Sequence, residues 1–389
     1  MENILGAVRY GIKISKKEKN PDERVTYMHD AKDLQPARMN FDTGVFEYGS
    51  WQGRAFAAPE NNYPCMVKAD GTEDYKLMQE DYTKKEDGAE SDVVNADYAG
   101  NAMAAFKGGW LCQYETETDE YIIWSNVKYD DAYNARHRKA KDGSIREGFY
   151  RHIYKPTLID GKARSISGAE IMGGFTAQQE RQLCKANGEE WEQSTWQQWN
   201  YIICLLKIMA KTDDLQAAYG YGNCDNPAWE ALPTGTLNDK GQFYGSREKD
   251  KQVKVFHTEA LWGDKWERLA GLIVDNGTVK VHTHGEYNFT GEGYKSIYRY
   301  MTNDFDYGFV DGTVMTPYGR FPVSFNGSRH EYTADYGAID TEIVSVPLVG
   351  GSCANGLRCG AVHLYNAAGN ASWHVAPGLS CIMPNAAQQ

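Results

Sequence analysis

The sequence predicts an α+β fold in which a small β-rich N-terminal part precedes a larger domain. Three observations carry this expectation. Only two segments have a helical period, and both lie mid-chain. Most of the remainder reads as short strand-like fragments divided by Gly-, Asn- and Tyr-rich turns. The chain also lacks GxGxxG, GxxxxGK[ST], HExxH and GxSxG, which argues against a nucleotide-binding or doubly wound sheet.

In chain order, the first hundred residues are polar and turn-rich, with strand-like pieces at 8-VRYGIKI-14 and 44-GVFEYGSW-51. The charged stretch 70–92 reads as a solvated loop or an exposed attachment surface, and a domain boundary is expected near residue 100. Region 1–100 is then an attachment or oligomerisation part, and 101–389 the main domain. Within 103–129 two β-rich pieces flank an acidic turn, the pattern of a hairpin. Thr176, with Gln179 and Glu180 in the first turn, predicts a helix over 177–188 that Gly188 stops. The spacing of Trp196, Trp199, Ile203, Leu206 and Ala210 predicts a second helix, mostly buried, within 194–211. Residues 216–235 read as loop, and strands at 252–257, 261–274 and 278–285 are expected before a Gly- and Tyr-rich run to 337.

Composition excludes several function classes. The net charge is 41 − 53 = −12, and no basic cluster interrupts it, so nucleic acid is not an expected partner. The longest apolar run, 201-YIICLLKIMA-210, contains Lys207 and is too short to span a bilayer; no membrane insertion is expected. The first residues lack the order of a secretory signal. Eight scattered cysteines without a CxxC pair read as reduced thiols or small buried apolar groups.

Three groups of residues are candidates for chemistry or binding. His282 and His284 alternate on a strand, with Glu286 next in the series, and could start a metal site, although exposed strand histidines are the commoner outcome. No metal is assigned. Cys353 and Cys359 lie near Arg358 and His363, which could depress a thiol pKa, but ordinary loop cysteines are the expected reading. Trp262 and Trp266, four apart, could form a ligand platform, but the core is their expected place.

The segment 350-GGSCANGLRCGAVHLYNAAGNASWHVAPG-378 stands apart: it contains no Lys, Glu, Asp, Gln or Met, and Arg358 is its one charged side chain. Together with 63-YPCMVKADGTEDYKL-77, 164-RSISG-168, 191-WEQSTWQQWNYIICLLKI-208, 215-LQAAYGYG-222 and 255-VFHTEALWGDKWERLAGL-272, in that order, it resembles phage tail receptor-binding proteins and the variable proteins of diversity-generating retroelements. The resemblance implies a C-type lectin-like C-terminal domain, of the kind also found in formylglycine-generating enzymes, with a hypervariable region at about 350–380.

In that family, bases opposite template adenines are substituted, so Asn codons ending in C become any codon ending in C. These cannot encode Lys, Glu, Gln, Met or Trp, which accounts for four of the absences; Trp373 would then be a fixed position. The resemblance implies a non-enzymatic, cofactor-free ligand-binding role for Ala354, Asn355, Leu357, Arg358, Val362, His363, Tyr365, Ser372, His374 and Val375. It implies fixed turns at Gly350, Gly351, Gly360 and Gly378. The expected partners are a host cell-surface protein or glycan and other tail proteins, in a homotrimer on the virion; the bacterial cell surface, or the cytoplasm before assembly, is the other location. The alternatives are a copper-dependent thiol oxidase of the formylglycine-generating type, using Cys353 and Cys359, and a purely structural tail or baseplate protein.

Overall fold

The computed structural model describes residues 6–301 and 305–384, with the side chains of Val362, His363 and Asn366 left undescribed. The fold is β-rich. A four-stranded antiparallel sheet takes Val25–His29, Arg9–Ser15, Asp119–Ser125 and Trp110–Glu115 in that order. A six-stranded sheet runs Trp191–Gln193, Leu379–Ile382, Gly148–His152, Gly100–Lys107, Asn62–Lys68 and Glu73–Lys76. The largest sheet has nine strands, with Val344–Gly350 and Gly360–Ala367 at its centre. No helix among the described residues is long and apolar enough to cross a membrane.

Among the described residues, three α-helices complete the fold: α1 (Ala177–Lys185), α2 (Trp196–Ala210) and α3 (Leu215–Tyr219). The first two begin as the sequence suggests. Thr176 and Thr195 each accept the backbone N–H of the N3 residue, Gln179 or Gln198, whose side chain returns a bond to the cap. Every residue of α2 is buried. Its Lys207 and the following Asp213 form an ion pair inside the protein, joined by Arg320 at 2.8 Å and Arg24 at 3.4 Å. These cations hold the Asp213 carboxyl far below the usual range despite the opposing effect of burial.

Several expectations are corrected. The boundary near residue 100 does not separate two cores. Arg9–Ser15 pairs with Asp119–Ser125, Asn62–Lys68 pairs with Gly100–Lys107, and Tyr10 and Leu364 belong to one hydrophobic core. Local composition could not reveal these long-range pairings. The charged stretch 70–92 is not all solvated: Glu73–Lys76 extends a sheet, and Leu77 and Tyr82 are buried. Residues 215–219 are helical where a loop was expected, because the Asp214 side chain caps the Ala217 N–H at 2.9 Å. Helix α1 ends at Lys185, ahead of Gly188. Trp262 and Trp266 are core residues, as expected.

The glycine positions divide by cause. Gly350 and Gly351 have positive φ, 87° and 75°, which a side chain would strain. Gly360 and Gly378 do not adopt that conformation; they are forced by close approach. A Cβ on Gly360 would lie 1.8 Å from Asp335 Oδ1, and one on Gly378 would lie 2.1 Å from Glu267 Oε1.

Asp335 is buried, and burial, aided by the charge of Asp214 and opposed by Lys207 and Arg329, pushes its carboxyl up to about 8. The folded state therefore holds this proton more tightly than the unfolded chain, whose carboxyl titrates near 3.8. Its contribution to stability is complete below about pH 4 and is lost as pH rises through about 8. Urea unfolding of wild type and Asp335→Asn at pH 5 and pH 8.5 should show the variant gaining relative stability at the higher pH. The gain is bounded by about 1.4 kcal/mol per pH unit. Leu206→Ala, in the buried helix, should cost about 2–5 kcal/mol in the same assay.

Candidate functional site

The C-terminal segment supplies a central strand of the largest sheet, and strand alternation divides its residues between two faces. Leu364 points inward to the core that contains α2, as does Val349, its register partner on Val344–Gly350. The next residue, Tyr365, therefore points outward. Its register partners are Leu348 on one side and Ala338 on the other, and Ala338 is in turn opposite Tyr307. Tyr307, Ala338, Tyr365 and Leu348 thus form one row across four strands on the outer face, about 14 Å from first to last at ordinary strand spacing.

That row is the floor of an open groove of about 350 Å3. Trp266, Phe305 and Tyr336 add aromatic walls, and Asn355, Arg358 and His374 bring polar groups to the rim. Phe305 and Tyr307 are 46% and 58% exposed, their rings 5.4 Å apart. Tyr365 lies 5.8 Å from Trp266 and 6.4 Å from Phe305, ring centre to ring centre. The Arg358 guanidinium sits 5.5 Å from the Tyr336 ring centre, and no carboxylate lies within ion-pairing distance of it among the described residues. Among the described residues, Arg358 is the one charged side chain lining the groove.

Local hydrogen bonding fixes the rim. Asn355 Oδ1 accepts from the Ser352 backbone N–H at 2.7 Å and its hydroxyl at 2.8 Å, closing the turn before Arg358. This loop is tied down by the Gly356 N–H donating to the Cys224 carbonyl and the Asn226 N–H donating to that of Cys353. The second tie belongs to a loop that exposes Trp229 by 65%. His374 is held through its carbonyl, which accepts the Trp266 N–H at 2.8 Å. Burial first, then the Lys265 ammonium, keeps its imidazole pKa below the usual value, so it is neutral at pH 7.

Of the ten expected contact residues, Asn355, Arg358, Tyr365 and His374 are brought together in this groove. Ala354, Leu357 and Ser372 are at least partly accessible but lie outside its lining. The side chains of Val362 and His363 lie outside the described residues. Val375 is a correction: it is 1% exposed, covered by Trp266 and Leu348, beside which the parallel pairing of Val375–Pro377 with Trp266–Arg268 places it. Sequence reasoning missed Phe305, Tyr307 and Tyr336, although the alternation in 305-FDYGF-309 was a usable signal.

The other candidates fare differently. Glu286, which might have joined His282 and His284 on a metal, instead accepts from Arg181 and Lys185, both at 2.8 Å. The His282 ring stacks on Tyr294. No cluster of three or more metal-ligating side chains occurs among the described residues. Cys353 and Cys359 are fully buried, and Cys359 Sγ donates to the Gly350 carbonyl at 2.8 Å. Burial raises both thiols above their ordinary pKa, the opposite of what a reactive thiolate requires.

Exposure within the segment predicts separable effects. In urea unfolding at pH 7, Tyr307→Ala and Arg358→Ala should each change stability by no more than about 0.5 kcal/mol. Val375→Ala should cost about 1–3 kcal/mol. No protein-family model matches the sequence, and no curated protein matches it.

Proposed function

We propose that the protein is a non-enzymatic receptor- or ligand-binding protein whose contact surface is the outer groove of the largest sheet. The observation that carries this reading is the convergence of Asn355, Arg358, Tyr365 and His374 with four further aromatic side chains on one accessible face. Aromatic and Arg side chains carry a disproportionate share of binding energy, because they combine large contact area with directional bonds. Substitutions at accessible rim positions leave the inward-facing Val349 and Leu364 untouched, so the surface can change partner while the scaffold persists.

On this reading the chain is a variable protein of the diversity-generating retroelement type, with a C-type lectin-like domain. It works at a phage tail tip in host attachment, displayed as a homotrimer alongside other tail proteins. The charge-poor composition of residues 350–378 supports the retroelement origin. The depth of Cys353 and Cys359 gives no support to the thiol-oxidase alternative.

Labelled protein carrying Tyr365→Ala and His374→Ala together should lose adsorption to host cells in flow cytometry, while its melting temperature falls by only a few degrees. Unchanged adsorption would overturn the assignment of the surface. The retroelement reading expects an adjacent near-copy of the coding sequence for residues 350–380 in the genomic DNA. It should differ mainly at adenines and lie beside a reverse transcriptase gene.

A further inference from the structure

We propose that the groove takes a carbohydrate bearing a carboxylate, with the sugar faces laid on its aromatic floor and the carboxylate held by Arg358. This rests on the reading of the groove as the contact surface and names its ligand class. The groove's volume, about 350 Å3, lies within the range of small-ligand sites, and its concavity suits a few linked rings better than a broad protein face.

The chemistry of the lining narrows the class. The row Tyr307–Ala338–Tyr365–Leu348 gives a band of aromatic and apolar surface, continued by the exposed Phe305. The polar groups at its margins include the Asn355 amide, the neutral His374 imidazole and the tyrosine hydroxyls. A ligand matching both features needs apolar C–H faces and several hydroxyl groups on the same ring, which is the description of a pyranose. A purely apolar peptide side chain would make no use of these polar groups.

Charge supplies the last element. In a protein of net charge −12, the one charged residue among the described lining residues is a cation. Arg358 is exposed and meets no carboxylate of its own chain among the described residues, while its contact with the Tyr336 ring, 5.5 Å from the ring centre, leans the guanidinium on the aromatic wall. A guanidinium so placed presents a planar pair of donors matched to a carboxylate.

The test uses the full chain on an array carrying neutral hexose disaccharides, the same disaccharides with one hexose oxidised to the uronate, sialyllactose beside lactose, and a library of short peptides. Wild-type protein should prefer the carboxylate member of a matched pair by about tenfold or more. Arg358→Gln should erase that preference while retaining weak binding to both members. The double variant Phe305→Ala/Tyr307→Ala should lose both, with circular dichroism and melting temperature confirming that each variant is folded. Equal binding of neutral and acidic members by wild type, or a preference that survives Arg358→Gln, would overturn the inference. Peptide binding that depends on Phe305 and Tyr307, with no sugar bound, would overturn the ligand class and leave the contact surface standing. Binding of any probe that is indifferent to all of these substitutions would sink both.

Discussion

The complete burial of helix α2 is the constraint around which the molecule is organised. A helix covered on every side cannot leave polar groups to water, so each must be answered from within the protein. Lys207 is answered by Asp213, which also collects Arg320 and lies against Arg24. Those three cations come from the helix, a distant hairpin and the N-terminal region, so one carboxylate ties together parts of the chain nearly three hundred residues apart. Asn200 and Gln113 exchange hydrogen bonds, and the Trp124 indole donates to the Tyr201 hydroxyl, in the same manner. Removing one partner from such a network leaves the other buried and unanswered, which makes the arrangement specific as well as stable.

The helix also determines what the site can be. The inner face of the largest sheet, through Val349 and Leu364, belongs to the same core as α2. Once those residues are fixed inward, alternation compels Leu348 and Tyr365 outward, where their neighbours Ala338 and Tyr307 join them in register. The groove is therefore the reverse side of a packed core, and its floor inherits that rigidity. The rim is built differently: Arg358 and Asn355 stand on a turn, held at its base by Gly350, Gly351 and Gly360. A rigid floor with a turn-borne rim keeps contact residues preorganised, which reduces the ordering cost of binding.

Legibility from sequence followed the range of the interactions. The Thr176 cap was readable because cap and reciprocating Gln179 are three residues apart; the same signal at Thr195 and Gln198 went unread. The buried helix was readable from its period, and the hairpin within 103–129 from its acidic turn. The glycines at 360 and 378 were anticipated only as fixed turns; what requires them is steric conflict with Asp335 and Glu267, residues distant in sequence. Val375 looked equivalent to His374 in a charge-free segment. Only its pairing beside Trp266 distinguishes a buried valine from an accessible histidine one residue away.

By itself, then, the chain order determined the two longer helices, the Thr176 cap, the burial of Trp262 and Trp266 and the unusual composition of residues 350–378. These depend on neighbours a few positions apart and on the identities of the side chains. The tertiary structure alone decided that the first hundred residues share sheets and core with the rest. It also decided that residues from 305–307, 336–338, 348, 355–358 and 365 meet on one face. The physical reason is that strand pairing joins segments of any separation, and hydrogen bonds between backbones carry no trace in the side chains that they align.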